Sequence, residues 1–279
     1  MILVDIGNSG LRAARVSEDQ AFSNEPVFRL SWSAAVASYR KPSPEQESAP
    51  NQKWCTLSDS HSFDWLVSQF EAYPGDEWFI SCVQRTALVQ LETSLKMAGM
   101  TGRVRIVGFS DLPIKISVLE PDKTGIDRLL AGWAAHTIVK ARTAIGEALI
   151  VVQAGTAVTV DLIAADGEFC GGAIMPGLGL ALQLLAAGTD QLPWLGNHVV
   201  DSEPELPGKN TSQAISAGVN AALVGGASHI VHRYRKTHGD SLKVIVTGGD
   251  GPLLLPHIPT PSERIDHLVL RGLSLLAKS

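Results

Sequence analysis

Two short glycine-containing turns carry much of the potential chemistry of this sequence. The first is Asp5-Ile6-Gly7-Asn8-Ser9 and the second is Gln153-Ala154-Gly155-Thr156, and each follows an apolar, strand-like run. The glycine in each turn lets the backbone approach a phosphate, and the hydroxyl and amide side chains can hydrogen-bond to its oxygens. Two such turns, 148 positions apart (residue 5 to residue 153), predict a duplicated domain that holds the phosphates of a nucleotide between its halves.

A third motif, Gly125-Ile126-Asp127-Arg128, lies at a predicted loop-to-helix junction between the two turns. An acid in the first turn of a helix is stabilised by the helix dipole whatever its function, so Asp127 alone would indicate little. Here an arginine follows it and the phosphate-binding turns flank it. A carboxylate that accepts a hydroxyl proton, beside a guanidinium that stabilises phosphoryl charge, suits phosphoryl transfer. The pattern predicts Asp127 as the base and Arg128 as its partner.

The first residues of the two turns differ in charge. Asp5, a carboxylate at a strand end, can hold Mg²⁺ directly or through water, and Arg12 on the next strand adds positive charge near the phosphates. Gln153 takes the place of Asp5 in the second turn, where its carboxamide oxygen can coordinate a cation only without charge attraction. The alternatives are an ordinary hairpin turn at residue 5 and a threonine-rich core strand after residue 153.

Two further positions have a structural and a functional interpretation. Gly248-Gly249 follows the buried run Lys243–Thr247 and offers a thin backbone surface on which an adenine ring could lie, or it is a plain strand-ending turn. Thr211 stands at the start of a long alanine-rich helix. Its hydroxyl caps the helix, contacts a ligand, or does both.

The composition excludes several classes of protein. The chain has 279 residues, 18% of them charged and 45% apolar, with a formal net charge of −5. This is a globular composition, and the negative charge argues against a nucleic acid or an anionic membrane as partner. The three cysteines form no CxxC pair, which favours reduced thiols. We expect a cytoplasmic protein without a membrane span.

Strands that alternate with helices predict α/β layers. Each half opens with a hairpin and lacks GxGxxG after its first strand, which favours a duplicated ribonuclease-H-like fold over a Rossmann sheet. We place the halves at residues 1–120 and 121–279. The same analysis predicts a loop over 34–53, a strand over Ile114–Leu119 and a closing helix over Glu263–Ala277.

Six motifs together carry a family resemblance. They are Asp5-x-Gly-Asn-Ser, Gly125-x-Asp-Arg, Gly155-Thr156-Ala with Thr159-x-Asp161, Gly171-Gly-x-Ile-x-Pro-Gly177, Asn210-Thr211-x-x-Ala-Ile and Thr247-Gly-Gly. Each motif is short, but six in this order are specific, and they extend over nearly the whole chain. The sequence resembles the type III pantothenate kinases.

The resemblance implies the fold of the superfamily that contains actin-like ATPases and the acetate and sugar kinases. It implies transfer of the ATP γ-phosphate to the 4′-hydroxyl of pantothenate, the first step of coenzyme A biosynthesis. It also implies a homodimer that needs Mg²⁺ and a monovalent cation, K⁺ or NH4⁺. Asp127 becomes the proton acceptor. The implied pantothenate contacts are Gly125, Ile126, Asp127, Arg128 and Thr211. The expected ATP contacts are Asp5, Ile6, Gly7, Asn8, Ser9, Gly10, Leu11, Arg12, Gly155, Thr156, Gly248 and Gly249.

Two departures from the family pattern leave alternatives open. Gln153 stands where the family usually has an aspartate that binds the monovalent cation, and no tyrosine occurs between Tyr73 and Tyr234, although many members have one shortly before Gly-x-Asp-Arg. The first departure favours a non-catalytic regulatory or binding relative. The second favours a kinase of another small alcohol. Intact Asp5, Asp127, Arg128 and Thr156 favour the enzyme.

Overall fold

The computed structural model describes residues 1–17, 22, 26–31, 52–56, 61–100, 103–144, 146–196 and 204–279. The chain divides into two compact units. Unit 1 contains Met1–Pro113, Asp122–Leu130 and Val269–Ser279, and unit 2 contains Ile114–Pro121 and Ala131–Leu268. The boundary of the duplication, which the sequence analysis places between residues 120 and 121, stays a prediction.

Unit 1 is built on a six-stranded sheet. Its strands are β1 Ile2–Ile6, β2 Gly10–Arg15, β3 Val27–Ser31, β4 Gln52–Thr56, β5 Trp78–Cys82 and β6 Val104–Ile106. Their order across the sheet is β4-β3-β2-β1-β5-β6. β1 pairs antiparallel with β2, and β2 with β3, whereas β1–β5 and β5–β6 are parallel. The parallel pairs bring the ends of β1 and β5 to the same edge of the sheet.

One face of this sheet is covered by α1 (His61–Ser68) and α2 (Arg85–Met97). The core between them is apolar and includes edge-to-face aromatic packing of Phe70 on Trp78, with ring centroids 5.4 Å apart. Such burial is the main favourable contribution to folding. The core therefore holds β1 and β5 rigidly where their last residues are polar.

Unit 2 repeats the same arrangement. Its strands are β7 Leu149–Ala154, β8 Ala157–Ile163, β9 Phe169–Pro176, β10 Lys243–Thr247 and β11 Ser262–Arg264. They are ordered β11-β10-β7-β8-β9. β7–β8 and β8–β9 are antiparallel, and β7–β10 and β10–β11 are parallel. The order 3-2-1-4-5 and the strand directions match those of unit 1, so the predicted duplicated ribonuclease-H-like fold is confirmed.

The remaining helices are α3 Ile126–Thr143, α4 Leu178–Gly188, α5 Thr211–His238, α6 Gly251–Leu254 and α7 Leu268–Leu276. Within unit 2, Gly132 of α3 packs so closely on Ile163 that a methyl group there would lie 2.6 Å from the Ile163 Cδ1 atom. By length and composition α5 could cross a membrane, but 44% of its most apolar window is buried. The core helix of a soluble protein passes the same test, so this is weak evidence for a span.

Three element predictions need correction. Ile114–Leu119 forms only an isolated bridge, from Ile116 to Phe169, and Leu119 is fully exposed. The predicted helix over Glu263–Ala277 is a short strand, β11, followed by α7, which begins at Leu268. Of the predicted loop over 34–53, residues 52 and 53 belong to β4, and the rest lies outside the described residues.

Candidate active site

A row of three polar side chains crosses the sheet of unit 1 where β1 ends. Asp5 is the register partner of Arg12 on β2 and of Ser81 on β5. Register partners on neighbouring strands point to the same face, so the three side chains form what we call the first row. Arg12 donates from Nη1 to Asp5 Oδ2 over 3.2 Å. Sequence reasoning missed Ser81, which the parallel pairing of β1 with β5 places beside Asp5.

The Asp5 carboxyl is only 4% exposed. Burial raises its pKa, and the nearby charge of Asp127 raises it further, while the Arg12 charge and hydrogen bond lower it; the result is a pKa of about 6. A buried carboxylate tolerates its charge poorly unless a cation compensates it. The contribution of the Asp127 charge to this pKa places Asp127 within electrostatic range of Asp5 in unit 1.

The turn after Asp5 is a tight hairpin. The Gly7 N–H donates to the Gly10 carbonyl over 2.9 Å. A methyl group at Gly10 would lie 2.5 Å from the Leu30 carbonyl oxygen, so only glycine fits there. Asn8 at the tip is exposed and Ser9 is buried. The hairpin thus brings thin backbone and polar side chains to one edge, where a phosphate could bind.

Asp127 lies in the first turn of α3. Its Oδ1 atom accepts a hydrogen bond from the Arg128 backbone N–H over 3.0 Å. A Cβ atom at Gly125 would lie 2.5 Å from the same oxygen, which accounts for the glycine of the Gly-x-Asp-Arg motif. This hydrogen bond holds the Asp127 side chain at the N-terminus of α3.

In unit 2, two glycine turns close on the Gly155–Thr156 turn. The Gly177 N–H donates to the Thr156 carbonyl over 2.9 Å, and the Asp250 N–H donates to the Ala154 carbonyl over 3.2 Å. Gly248 has φ +94°, and a Cβ atom there would lie 2.0 Å from the Ala154 carbonyl oxygen. The predicted ATP contacts Gly155, Thr156, Gly248 and Gly249 therefore lie together on two adjoining turns.

A second row of polar side chains crosses this sheet at the place equivalent to the first row. Gln153 is the register partner of Thr159 on β8 and of Thr247 on β10. Gln153 Oε1 and Thr159 Oγ1 are buried and have no hydrogen-bond partner among the described residues. All three side chains of this second row are neutral, so they offer a monovalent cation oxygen ligands but no opposite charge.

Thr211 is the first residue of α5 and is exposed. The helix is capped by its neighbour instead, because the Asn210 side chain accepts from the Gln213 N–H over 2.9 Å. The capping role that the sequence left open for Thr211 therefore belongs to Asn210. The contact of Thr211 with a ligand stays a prediction.

Comparison with solved structures agrees with this fold. A candidate 2-dehydro-3-deoxygalactonokinase from Sinorhizobium meliloti matches with a TM-score of 0.51 and 16% identity, over 99% of this chain and 95% of that one. A candidate Baf family transcriptional activator from Campylobacter jejuni matches with a TM-score of 0.53 and 20% identity, over 100% and 98%. Fold and site define a chain of the duplicated ribonuclease-H-like class, with a carboxylate-lined turn in unit 1.

Sequence comparison is more specific. The profile of the type III pantothenate kinases matches residues 1–233. A type III pantothenate kinase of Herminiimonas arsenicoxydans is 35% identical over 284 aligned positions, which are 99% of this chain and 97% of that protein. One of Rhodopirellula baltica is 41% identical over 175 residues, which span 61% of this chain and 60% of that protein. The chain belongs to the type III pantothenate kinase family.

Proposed function

We propose that this protein transfers the γ-phosphate of ATP to the 4′-hydroxyl of pantothenate. One observation carries the proposal: unit 1 holds a buried carboxyl at the end of β1, Asp5, and a second acid in the first turn of α3, Asp127, whose charge contributes to the raised pKa of Asp5. Phosphoryl transfer needs one acid for the cation of the nucleotide and another for the proton of the attacking alcohol. Family membership supplies the identity of that alcohol.

In this proposal Asp127 accepts the proton of the 4′-hydroxyl as the oxygen attacks phosphorus. Its Oδ1 atom accepts a hydrogen bond from the Arg128 N–H in the first turn of α3, which restrains the side chain. The Arg128 guanidinium stabilises the negative charge on the transferred group. Gly125, Ile126 and Thr211 complete the proposed pantothenate contacts.

The buried Asp5 carboxylate fits a magnesium ion. Magnesium prefers hard oxygen ligands, and a carboxyl with a pKa raised by burial gains most when a cation compensates its charge. Asp5 would hold the ion directly or through water, with Ser81 beside it in the first row. When bound, Mg²⁺ neutralises charge on the phosphates of ATP. Ile6 to Leu11 and Arg12 form the rest of the proposed ATP contacts in unit 1.

In unit 2 the proposal assigns ATP contacts to Gly155, Thr156, Gly248 and Gly249. Two backbone hydrogen bonds and the close approach of Gly248 to Ala154 hold these turns together. The resemblance also implies potassium or ammonium at residue 153. We leave that ion out of the proposal, because the second row has no charged side chain.

The test is ADP release by the purified protein with Mg·ATP, in the presence and absence of pantothenate. We expect release to depend on pantothenate and to be lost with a pantothenate analogue that lacks the 4′-hydroxyl. Equal release with and without pantothenate would contradict the proposal. Release that depends on a different small alcohol would favour the related kinase considered above. A folded protein that binds pantothenate without turnover would favour a non-catalytic relative.

We also propose a homodimer in the cytoplasm, with no nucleic acid or membrane as partner. Support comes from an apolar groove of about 550 Å³ in unit 2, lined by side chains of β9, α4 and α5 that include the half-exposed Leu184. Sedimentation should give about 59 kDa, twice 29.7 kDa. Ala222→Arg in the groove should give a monomer. A monomeric unmodified protein would contradict this part.

A further inference from the structure

The duplication allows the two rows to be compared position by position. The first row consists of Arg12, Asp5 and Ser81, and the second consists of Thr159, Gln153 and Thr247. The central position is an acid in the first row and a neutral carboxamide in the second. The sheet of unit 1 therefore presents a charged group at this place, and the sheet of unit 2 presents neutral oxygens.

The second row contains two buried oxygens that lack partners. Gln153 Oε1 and Thr159 Oγ1 are both inaccessible and make no hydrogen bond with any described residue. Leaving such an atom unsatisfied costs about 1–3 kcal/mol, and buried polar atoms are paired in most native proteins. Two of them on register partners indicate one shared ligand.

We propose that this ligand is a buried water molecule, which bridges the Gln153 carboxamide and the Thr159 hydroxyl, and that no monovalent cation binds there. Folding of the protein is then indifferent to potassium. Potassium likewise does not activate catalytic turnover, an expectation that rests on the proposed function. Water fits because it can donate to the carboxamide oxygen and exchange a hydrogen bond with the hydroxyl.

The second row itself supplies no opposite charge to a cation. An ion buried without an opposite charge loses its hydration and gains little in return. A carboxylate within reach of Thr159 would accept a hydrogen bond from its hydroxyl, yet that hydroxyl has no partner among the described residues. Asp161 lies two residues further along β8, and its Oδ1 atom packs against the backbone of Gly172, where a Cβ atom would be 2.2 Å away. This Oδ1 atom therefore lies beside β9, whereas Gln153 is on β7, the other neighbour of β8.

The direct test is the thermal midpoint of the unmodified protein in potassium, ammonium, sodium and choline chloride at equal ionic strength. We expect the four midpoints to agree within about 1 °C, since a ligand that does not bind cannot stabilise. A midpoint in potassium or ammonium that is several degrees above the sodium value would overturn the proposal. This readout needs no turnover, so it separates a wrong cation assignment from a wrong activity.

A variant tests whether the charge at residue 153 determines potassium binding. Gln153→Asp copies the acid of the first row and should gain potassium-specific stabilisation of roughly 2–5 °C over sodium. Gln90→Asp, which adds the same charge at an exposed position of α2, should show none. A folded Gln153→Asp protein with no response to potassium would contradict the charge argument. If that variant does not fold, the four-salt comparison of the unmodified protein still decides the proposal.

Discussion

Asp127 is the residue on which the proposed chemistry depends most. Asp127→Asn keeps the size of the side chain and its hydrogen bond from Arg128 but removes the proton acceptor. We expect kcat to fall by about 10²–10⁴ with little change in unfolding. Asp122→Asn, an exposed acid five residues earlier, is the matched control and should keep full activity. Steady-state kinetics of both variants measure this difference. A normal kcat for Asp127→Asn would show that Asp127 is not the base.

The raised pKa of Asp5 predicts how stability depends on pH. The folded protein binds a proton at Asp5 more tightly than the unfolded chain does, with a pKa of about 6 against 3.8. Stability therefore falls as pH rises from about 4 to about 6. The loss is on the order of 3 kcal/mol when neither magnesium nor nucleotide is present.

Urea unfolding of the unmodified protein and of Asp5→Asn at pH 4.5 and pH 7 would measure this effect. The variant should lose less stability than the unmodified protein over this interval. Mg·ATP, which compensates the Asp5 charge, should also reduce the loss in the unmodified protein. If the free energy of unfolding of the two proteins changed equally with pH, the pKa of Asp5 would not be raised by folding.

Ser81 carries a buried hydroxyl without a hydrogen-bond partner among the described residues. Ser81→Ala removes an unsatisfied group, so stability should be unchanged or increase by up to about 1 kcal/mol. If the hydroxyl serves the bound magnesium or its water, the magnesium concentration for half-maximal activity should rise about fivefold. Ser68→Ala, at an exposed position, is the control. A destabilised variant with normal magnesium dependence would assign Ser81 a purely structural role.

At the scale of elements, Arg235 of α5 holds the segments that lead into β10 and β11. It is 7% exposed and donates to the carbonyls of Leu242, Thr260 and Pro261 over 2.8–3.2 Å. Arg235→Met should leave these carbonyls unsatisfied and lower the free energy of unfolding by about 2–4 kcal/mol. Arg233→Met, exposed on the same helix, should change it by less than about 0.5 kcal/mol. Urea denaturation of both variants makes the comparison, and equal losses would contradict this role.

The sequence predicted the elements that have strong local signals. Lys243–Thr247 is a strand with the expected bounds. β11 was missed because it has three residues and its Glu263 and Arg264 suit an exposed helix equally well. Its pairing with β10 is a long-range contact that no local pattern encodes.

The same limit applies to the candidate site. Asp5, Asp127 and the glycine turns could be found because their types and spacing are informative in one dimension. Ser81 could not, because a serine at the end of a buried strand becomes significant only when the parallel register puts it beside Asp5. The unpaired oxygens of Gln153 and Thr159 likewise required the pairing of β7 with β8.

At the scale of the whole molecule, duplication explains why two units of the same topology carry different chemistry. Both sheets end in a polar row next to a glycine turn. The first row has an acid in unit 1 with the proposed base, whereas the second row is neutral and its turn adjoins Gly248 and Gly177. A kinase with one divalent cation and no monovalent cation is consistent with this division.

The measurement that tests the central claim most directly is the identity of the product. The protein would be incubated with pantothenate, magnesium and ATP labelled with ¹⁸O in the γ-phosphate, and the mixture analysed by mass spectrometry. We predict phosphopantothenate that carries the labelled phosphoryl group, with phosphorus NMR placing it on the 4′-oxygen. Labelled inorganic phosphate with unmodified pantothenate would contradict the claim, because it would show that water, and not the alcohol, is the acceptor.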